Sequence, residues 1–305
     1  MIPRIIVDQV NNQTLQTGII NKIKAQYGIM ITSWKPIWSY YGGVFEITVD
    51  TNSSYILKII RNPDEYKLRH LEAEVAFTQA VTENITEFIT QTFIQDKNEN
   101  ELQKSNNDMF YLLKKHEIIK KSVPTPQEQQ HVGRLIHAFH TKLVDFKHEG
   151  IAGTSWMREV EPEQYKILLQ NMAEKEFAPF VAPLNYEESH LTKTLIHGDW
   201  HDDNFSFSTP PFLYDLDTLS YGAASEEIAR TITHWTNDDL SIKDFYENIL
   251  VGYRDLSQDE IDVIPRVAVA ICLRQFAEIT QNGDKYNDAR GFLELEKKLK
   301  SLFCC

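Results

Sequence analysis

The first third of the chain switches between helical and strand-like spacing of its apolar residues. Apolar side chains recur at helical spacing over residues 13–28, which predicts a first helix. A strand-like stretch follows over 28–38, and VFEITV at 44–49 alternates as a half-buried strand does. YILKII at 55–60 predicts an apolar strand that carries one charge, and 66–81 predicts a helix. This order favours a small antiparallel sheet with helices packed on it.

The remainder predicts a hairpin and then a mainly helical region. Residues 93–95 and 109–113 are apolar and flank a polar stretch, which predicts two strands joined by a mobile tip. From Thr125 onward, apolar side chains recur at three and four residues up to Leu143, and Thr125 suits a helix start. Four later segments have helical patterns, at 224–236, 240–254, 257–281 and 287–303.

The chain is long enough for two lobes, each with its own core. Its 305 residues are 42% hydrophobic and 25% charged, which are ordinary values for a globular protein. The sequence has no run of eighteen apolar residues, and its start lacks the sectors of a signal peptide, so we expect a soluble, cytoplasmic protein. We place an amino-terminal lobe at 1–113 and a helical carboxy-terminal lobe at 114–305.

The candidate chemistry lies in two short segments. HGDWHDDN at 197–204 is typical of a loop that presents a carboxylate and an amide, and FLYDLD at 212–217 of a buried strand that delivers a second carboxylate. Phosphoryl transfer needs such groups, because the protein must hold a divalent metal against phosphates and orient the attacking oxygen. An Asp can accept the hydroxyl proton, while an Asn and a second Asp are hard oxygen ligands for Mg²⁺.

These segments resemble the catalytic segment of the aminoglycoside phosphotransferase and choline kinase family, whose pattern is H-G-D-x-H-x-x-N, a gap, and I-D-(F/W/L)-(D/E). The matching residues are His197, Gly198, Asp199, His201, Asn204, Asp215 and Asp217. The resemblance implies a bilobal, protein-kinase-like α+β fold and transfer of the γ-phosphoryl group of ATP to a hydroxyl group. It implies that Asp199 is the catalytic base and that Asn204 and Asp215 hold Mg²⁺. Asp217 would be a second metal contact or a brace.

The same resemblance assigns nucleotide-binding residues in the first lobe. In the family, the third strand carries a lysine that contacts the α- and β-phosphates and pairs with a helix glutamate. Lys58 lies in the matching strand, where a lysine is costly unless its ammonium group reaches solvent or an anion. Glu74 is the expected partner and Glu72 the alternative. Backbone contacts to the nucleotide are expected at Gly42, Gly43, Leu113 and Lys115.

Supporting residues are expected around the catalytic loop. Glu227 stands where the family has an Asp that braces this loop through backbone hydrogen bonds, and the longer Glu departs from that pattern. His197 and His201 are expected to support the loop. His140, in a helix that resembles a family helix, is expected to order the loop rather than to react.

Charge is concentrated in one part of the sequence. Residues 195–265 carry 15 Asp and Glu against three basic residues, so −12 of the net charge of −13 lies there. A negative field attracts cations and repels nucleic acid. We therefore expect a small cationic acceptor, no nucleic acid and no membrane partner. The alternative is that these acids only keep exposed helices soluble.

Other functional classes stay open. The loop could be an ordinary solvated turn, since His, Gly and Asp suit turns, and His197, Asp199 and His201 could form a zinc site of a hydrolase. A nucleotide-binding protein without catalysis would share the same residues. A protein serine/threonine kinase would too, although residues 38–45 lack G-x-G-x-x-G and the loop lacks the arginine that reads a phosphorylated activation loop.

Overall fold

The computed structural model describes residues 12–38, 42–50, 53–152, 191–235, 240–265, 267–268 and 271. The chain divides into two compact units. The first comprises Met1–Thr82, Thr90–Ile118 and His148–Gly150, and the second comprises Glu83–Ile89, Ile119–Lys147 and Ile151–Cys305. None of the helices in the described part of the chain is both long enough and apolar enough to cross a membrane.

The first unit is built on an antiparallel sheet. Its strands are β1 (Ile31–Trp38), β2 (Gly42–Val49), β3 (Ser54–Ile60), β5 (Gln103–Ser105) and β6 (Asp108–Lys114), in the order β1-β2-β3-β6-β5, and the two-residue β4 (Ile89–Thr90) lies outside this sheet. Helices α1 (Asn12–Tyr27) and α2 (Glu65–Asn84) accompany the sheet. Because side chains alternate along a strand, Phe45, Ile47, Leu57 and Ile59 face one side, where they pack with Ile19 and Ile23 of α1.

The hairpin differs from its prediction. The strand that forms a hairpin with β6 is β5 rather than residues 93–95, whose contact with β6 is an isolated bridge from Phe93 to Leu113 and a hydrogen bond from the Ile94 amide to the Leu112 carbonyl oxygen. The turn between β5 and β6 uses Asn106 at φ 58°, a left-handed conformation that Asn tolerates. The predicted mobile tip is instead tied to Asp96, whose carboxylate accepts hydrogen bonds from the backbone of Asn98 at 2.8 Å and Asn100 at 2.9 Å.

The second unit contains helices and two small sheets. The elements are α3 (Pro126–Lys142), β7 (Lys193–Ile196), β8 (Phe205–Ser206), β9 (Phe212–Leu213), a 3₁₀ turn (Leu216–Thr218), β10 (Ser220–Ala223), α4 (Ala224–His234) and α5 (Ile242–Tyr253). Residues 258–265 are also helical. Strand β7 pairs with β10, and β9 lies between β4 and β8. The predicted helix at 287–303 lies outside the described residues.

Helix α3 begins where the sequence predicts. The Thr125 side chain accepts a hydrogen bond from the Glu128 backbone, and the Glu128 carboxylate accepts one from the Thr125 backbone, so the two form a capping box. Glycines allow α3 to approach α5 closely. A Cβ atom added at Gly133 would lie 2.2 Å from the Ile249 carbonyl oxygen, and one added at Gly252 would lie 2.1 Å from that of Gln130.

Candidate active site

Helix α4 holds the loop that connects β7 to β8. The fully buried Glu227 carboxylate accepts hydrogen bonds from the backbone amides of His197 and Gly198, the latter at 3.1 Å. On the other side of the same glycine, Arg230 donates to the Gly198 carbonyl oxygen at 2.5 Å, and Glu226 holds Arg230 at 3.1 Å. Both backbone groups of Gly198 are therefore bound by side chains of one helix. Glu227 is one methylene group longer than the Asp of the family pattern, and its carboxylate still binds the loop backbone.

The loop position next to this brace requires glycine. Gly198 has φ +79°, a conformation that side-chain-bearing residues rarely adopt. A Cβ atom there would lie 2.7 Å from the Thr218 carbonyl oxygen. Thr218 also donates its hydroxyl hydrogen to the His197 carbonyl oxygen at 2.7 Å, so the 3₁₀ turn and the loop are packed too closely for a side chain at this position.

The Glu227 carboxylate stays ionised inside the protein. Burial alone would raise its pKa, but the nearby imidazole rings of His140 and His197 and the hydrogen bond from the Gly198 amide outweigh burial and lower it. His140 Nε2 lies 4.0 Å from Glu227 Oε2, and His140 Nδ1 lies 2.8 Å from the Tyr253 hydroxyl oxygen. His140 therefore sits behind the brace and not beside the loop carboxylate Asp199.

Replacing Glu227 by Gln is expected to destabilise the fold by about 1–3 kcal/mol, because the amide NH₂ group cannot accept from both buried backbone amides. Chemical denaturation monitored by circular dichroism would measure this loss. The exposed Glu247 of α5 offers the control, since Glu247→Gln should leave the midpoint unchanged. Equal midpoints for Glu227→Gln and the unmodified protein would contradict the brace.

His197 is locked in one neutral form. Its Nε2 lies 3.1 Å from the Tyr214 carbonyl oxygen, and its Nδ1 accepts from the Asp199 backbone amide at 3.3 Å. Burial lowers the pKa of His197 despite the surrounding carboxylates, and a ring with its proton on Nε2 satisfies both contacts. Neither ring nitrogen then has a lone pair left for zinc.

This geometry decides against the zinc interpretation of the loop. Among the described residues, the group of potential metal ligands that lie close together is His201, Asp202 and Asp203, and it includes neither His197 nor Asp199. Asp203 also forms an ion pair with Lys120. The hydrolase cluster expected from His197, Asp199 and His201 is therefore not assembled.

The Asp199 carboxylate is surrounded by donors. Oδ1 lies 3.0 Å from His234 Nδ1, while Oδ2 lies 3.3 Å from His201 Nε2 and accepts from Asn204 Nδ2 at 2.8 Å. Partial burial would raise the pKa of Asp199, but the hydrogen bonds from His201 and His234 and the positive charge of His201 outweigh burial and hold it far below its ordinary value. Asp199 is therefore ionised at neutral pH, and its orientation is fixed.

His201 donates to Asp199 in either of its ring forms. Although burial opposes it, the carboxylates of Asp199 and Asp202 raise the pKa of His201 to about 9, which favours the charged ring. The Asp203 backbone amide points at Nδ1 from 3.2 Å, which suits a neutral ring with its proton on Nε2. Both forms carry the Nε2 proton, so the contact to Asp199 is the same in each.

His234 is a site residue that the sequence pattern did not reveal. It ends α4, one turn beyond Arg230 and two turns beyond Glu227, so the three side chains share one helix face. The spacing of 227, 230 and 234 is visible in the sequence, but it becomes informative only once this face is known to meet the loop.

The two predicted metal-binding residues lie at the open end of one hairpin, where Asn204 precedes β8 and Asp215 follows β9. Strands β8 and β9 pair Phe205 with Leu213, and the Tyr214 backbone amide donates to the Asn204 carbonyl oxygen at 3.0 Å. The Asn204 side-chain NH₂ group donates to Asp199. The amide oxygen of Asn204 therefore points away from Asp199. An amide oxygen and a carboxylate are both donors that suit Mg²⁺.

Asp215 is presented differently from its prediction. The predicted strand over 212–217 ends at Leu213, and Asp215 instead precedes the 3₁₀ turn with φ 60° and ψ 72°. Asp is one of the few side-chain-bearing residues that tolerate this left-handed conformation. Asp217 lies in the turn and is exposed.

In the first unit, Lys58 lies on β3 and Glu74 lies on α2, as the family resemblance predicts. Because Leu57 and Ile59 face α1, Lys58 projects from the opposite face of the sheet, where neighbouring β3 residues pack with Leu71 of α2. Glu74 is fully buried, whereas the alternative Glu72 is exposed. This burial favours Glu74 as the partner of Lys58, and the pairing itself stays a prediction.

The other expected nucleotide contacts lie in β2, in β6 or just beyond β6. Gly42 and Gly43 are the first residues of β2, paired with Ile60 and Ile59, rather than members of the preceding loop. Leu113 lies inside the sheet between Ile56 and Phe93. Lys115 is the first residue beyond β6, and its ammonium group pairs with Glu46. The position beyond β6 is the better placed of the two for a backbone contact to adenine.

Part of the acidic charge is structural rather than solvent-facing. Glu226 pairs with Arg230, Glu227 braces the loop, and both are buried. Glu260 is buried too, and it accepts from the backbone amides of Thr192 and Ser257, each at 2.9 Å. These three carboxylates are therefore held by internal partners and are not exposed for contact with a cation.

Comparisons with known proteins agree with this arrangement. A sequence model of the phosphotransferase enzyme family matches residues 33–260. No curated protein sequence matches the chain. Similar solved structures include an amicoumacin kinase in complex with AMP-PNP, Ca²⁺ and Ami, with a TM-score of 0.72, 16% identity, and coverage of 96% of this chain and 93% of that one.

Two further solved structures are similar over nearly their whole length. A microcompartment-associated aminopropanol kinase has a TM-score of 0.68 at 13% identity and covers 94% of this chain and 95% of its own. A choline kinase from Streptococcus pneumoniae has a TM-score of 0.61 at 14% identity, with coverage of 95% and 99%. The likeness confirms the expected α+β, protein-kinase-like fold.

Proposed function

The chain belongs to the phosphotransferase enzyme family, and from this premise we propose that it transfers a phosphoryl group from ATP to an alcohol group of a small cationic molecule. One observation carries the proposal. The ionised Asp199, the Asn204 amide and the Asp215 carboxylate are delivered by one loop and the adjoining hairpin. This is the group of side chains that phosphoryl transfer to a hydroxyl requires.

The second unit would perform the chemistry. The Asn204 amide oxygen and the Asp215 carboxylate would hold Mg²⁺, which neutralises charge on the β- and γ-phosphates when bound. Asp199 would accept the hydrogen bond of the acceptor hydroxyl, align its oxygen and take its proton as the new bond forms. The lowered pKa of Asp199 fits this role, because a loose phosphoryl-transfer transition state needs alignment more than base strength.

The first unit would bind the nucleotide. Lys58 would anchor the α- and β-phosphates with Glu74 as its partner, Gly42 and Gly43 would let the backbone approach the phosphates, and Lys115 would contact adenine. We accordingly keep residues 1–113 as the proposed nucleotide-binding lobe and residues 114–305 as the proposed catalytic and acceptor lobe.

The cationic acceptor is supported by charge and by likeness. Exposed acids remain on the helical part of the second unit after the buried ones are set aside, among them Asp244, Glu247 and Asp259. Such a surface attracts cations. Two of the similar structures are kinases of choline and aminopropanol, which are small alcohols that carry an amine or ammonium group.

A thermal-shift screen with Mg-AMP-PNP tests the donor and the acceptor together. We expect Mg-AMP-PNP to raise the melting temperature, and cationic alcohols such as choline, 1-amino-2-propanol and kanamycin to raise it further. Glycerol and glucose serve as neutral controls. Compounds that shift the transition are then assayed for ADP release with Mg-ATP. A neutral sugar that drives faster ADP release than any cationic alcohol would contradict the proposed acceptor class.

A further inference from the structure

His234 touches the reactive carboxylate from a helix, not from the loop. Its Nδ1 lies 3.0 Å from Asp199 Oδ1, and it is the last residue of α4. The same helix fixes the loop backbone through Glu227 and Arg230. One rigid face thus sets both the position of the loop and the direction of its carboxylate.

The ring form of His234 follows from its surroundings. Burial lowers its pKa, the Asp199 carboxylate opposes that effect, and the positive charges of His201 and Arg230 reinforce it. A neutral imidazole has a single N–H group. Because Nδ1 faces a carboxylate oxygen, which can only accept, the proton belongs on Nδ1.

The hydrogen-bond donors around Asp199 show which of its carboxylate oxygens can still accept from a substrate. An ionised carboxylate offers about four lone-pair sites, two on each oxygen. Among the described residues, Oδ2 meets two donors, His201 Nε2 and Asn204 Nδ2, whereas Oδ1 meets His234 alone. The open site is therefore on Oδ1, the oxygen that His234 holds.

We propose that His234 is a positioning residue that holds Asp199 so that Oδ1 receives the hydroxyl hydrogen of the phosphoryl acceptor. The inference rests on the proposed function for its catalytic consequence, but the contact itself can be observed without turnover. Without the His234 donor, the carboxylate can rotate about its Cβ–Cγ bond, and the acceptor oxygen loses its alignment with the γ-phosphate.

Two substitutions of the same residue separate positioning from packing. Asn places an amide nitrogen two bonds from Cβ, as His places Nδ1, whereas Gln places it one bond further. With Mg-ATP and water as the acceptor, His234→Gln should lower kcat by about 100-fold, the size expected for a misplacement of about 1 Å. His234→Asn should retain most of the rate. The KM for Mg-ATP should be unchanged in both.

Two results would overturn the proposal. One is a His234→Gln variant with the kcat of the unmodified protein, and the other is a His234→Asn variant as slow as His234→Gln. If His234 only stabilised the end of α4, both variants would melt at a lower temperature and their kcat values would not differ from each other.

The ring form supplies a test that needs neither turnover nor a folded variant. In the unmodified protein labelled with ¹⁵N-histidine, we expect the NMR shifts of His234 at pH 7.5 to report a proton on Nδ1. A ring protonated on Nε2 alone would refute the contact. If the unmodified protein released ADP with none of the cationic alcohols screened above, the proposed function would fail, and this measurement would still decide whether His234 holds Asp199.

Discussion

Replacing Asp199 by Asn is expected to lower turnover by a factor between about 100 and 10,000, the range that a positioned proton acceptor contributes. Asn is nearly isosteric with Asp, but its NH₂ group would face either His234 or the donors His201 and Asn204. The site would lose its negative charge and the acceptor lone pair that we assign to Oδ1. Nucleotide affinity should remain nearly intact, since Asp199 is not a proposed phosphate or metal contact.

The measurement pairs ADP release with calorimetric titration of Mg-AMP-PNP. Asp203→Asn offers a matched control, because Asp203 lies in the same loop but is exposed and pairs with Lys120. It should turn over at the rate of the unmodified protein. An Asp199→Asn variant that turns over as fast as this control would exclude Asp199 as the proton acceptor.

The sequence predicted those elements whose signal is local. Strands β2 and β3 follow from alternation, and α3 begins at Thr125 because its capping box lies within four residues. The β5–β6 hairpin was missed, since the apolar residues at 93–95 were a stronger signal than the polar QKS segment of β5. The turn residue Asn106, which tolerates a positive φ, was the local signal for it.

The residues of the candidate site also differ in whether a local sequence signal reveals them. The spacing of His197, Asp199 and Asn204 lies within a single loop, so a motif could identify it. Arg230 and His234 meet that loop from positions more than thirty residues later in the chain. No local pattern predicts which helix face will lie against the loop, because that is decided by packing of the second unit.

The burial of acids also depends on packing. A net charge counted along the chain treats each carboxylate as exposed, whereas Glu226, Glu227 and Glu260 each have internal partners. Buried carboxylates are retained only where such partners exist. The sequence therefore predicts the net charge of this region but not which of its carboxylates are exposed.

Replacing Asp215 by Asn is expected to weaken Mg-ATP binding by more than about 100-fold, since loss of even an outer-shell partner costs 10–100-fold in metal affinity. Asn is a better test than Ala here. Asp215 has φ 60°, and Ala in this left-handed conformation would cost about 1–2 kcal/mol of backbone strain, which Asn largely avoids. The Asn variant therefore changes the charge of the proposed metal ligand and leaves the turn intact.

Removing the metal provides the internal control for this substitution. With EDTA present, Asp215→Asn should bind ATP no more weakly than the unmodified protein in calorimetric titrations, because without Mg²⁺ the Asp215 carboxylate only repels the phosphates. With Mg²⁺ present, only the unmodified protein should gain affinity. If both proteins gained equally, the carboxylate of Asp215 would not be a metal ligand. Asp215→Ala should lose the Mg²⁺-dependent gain as well and also melt at a lower temperature, and this added instability would separate the backbone role of Asp215 from its role as a ligand.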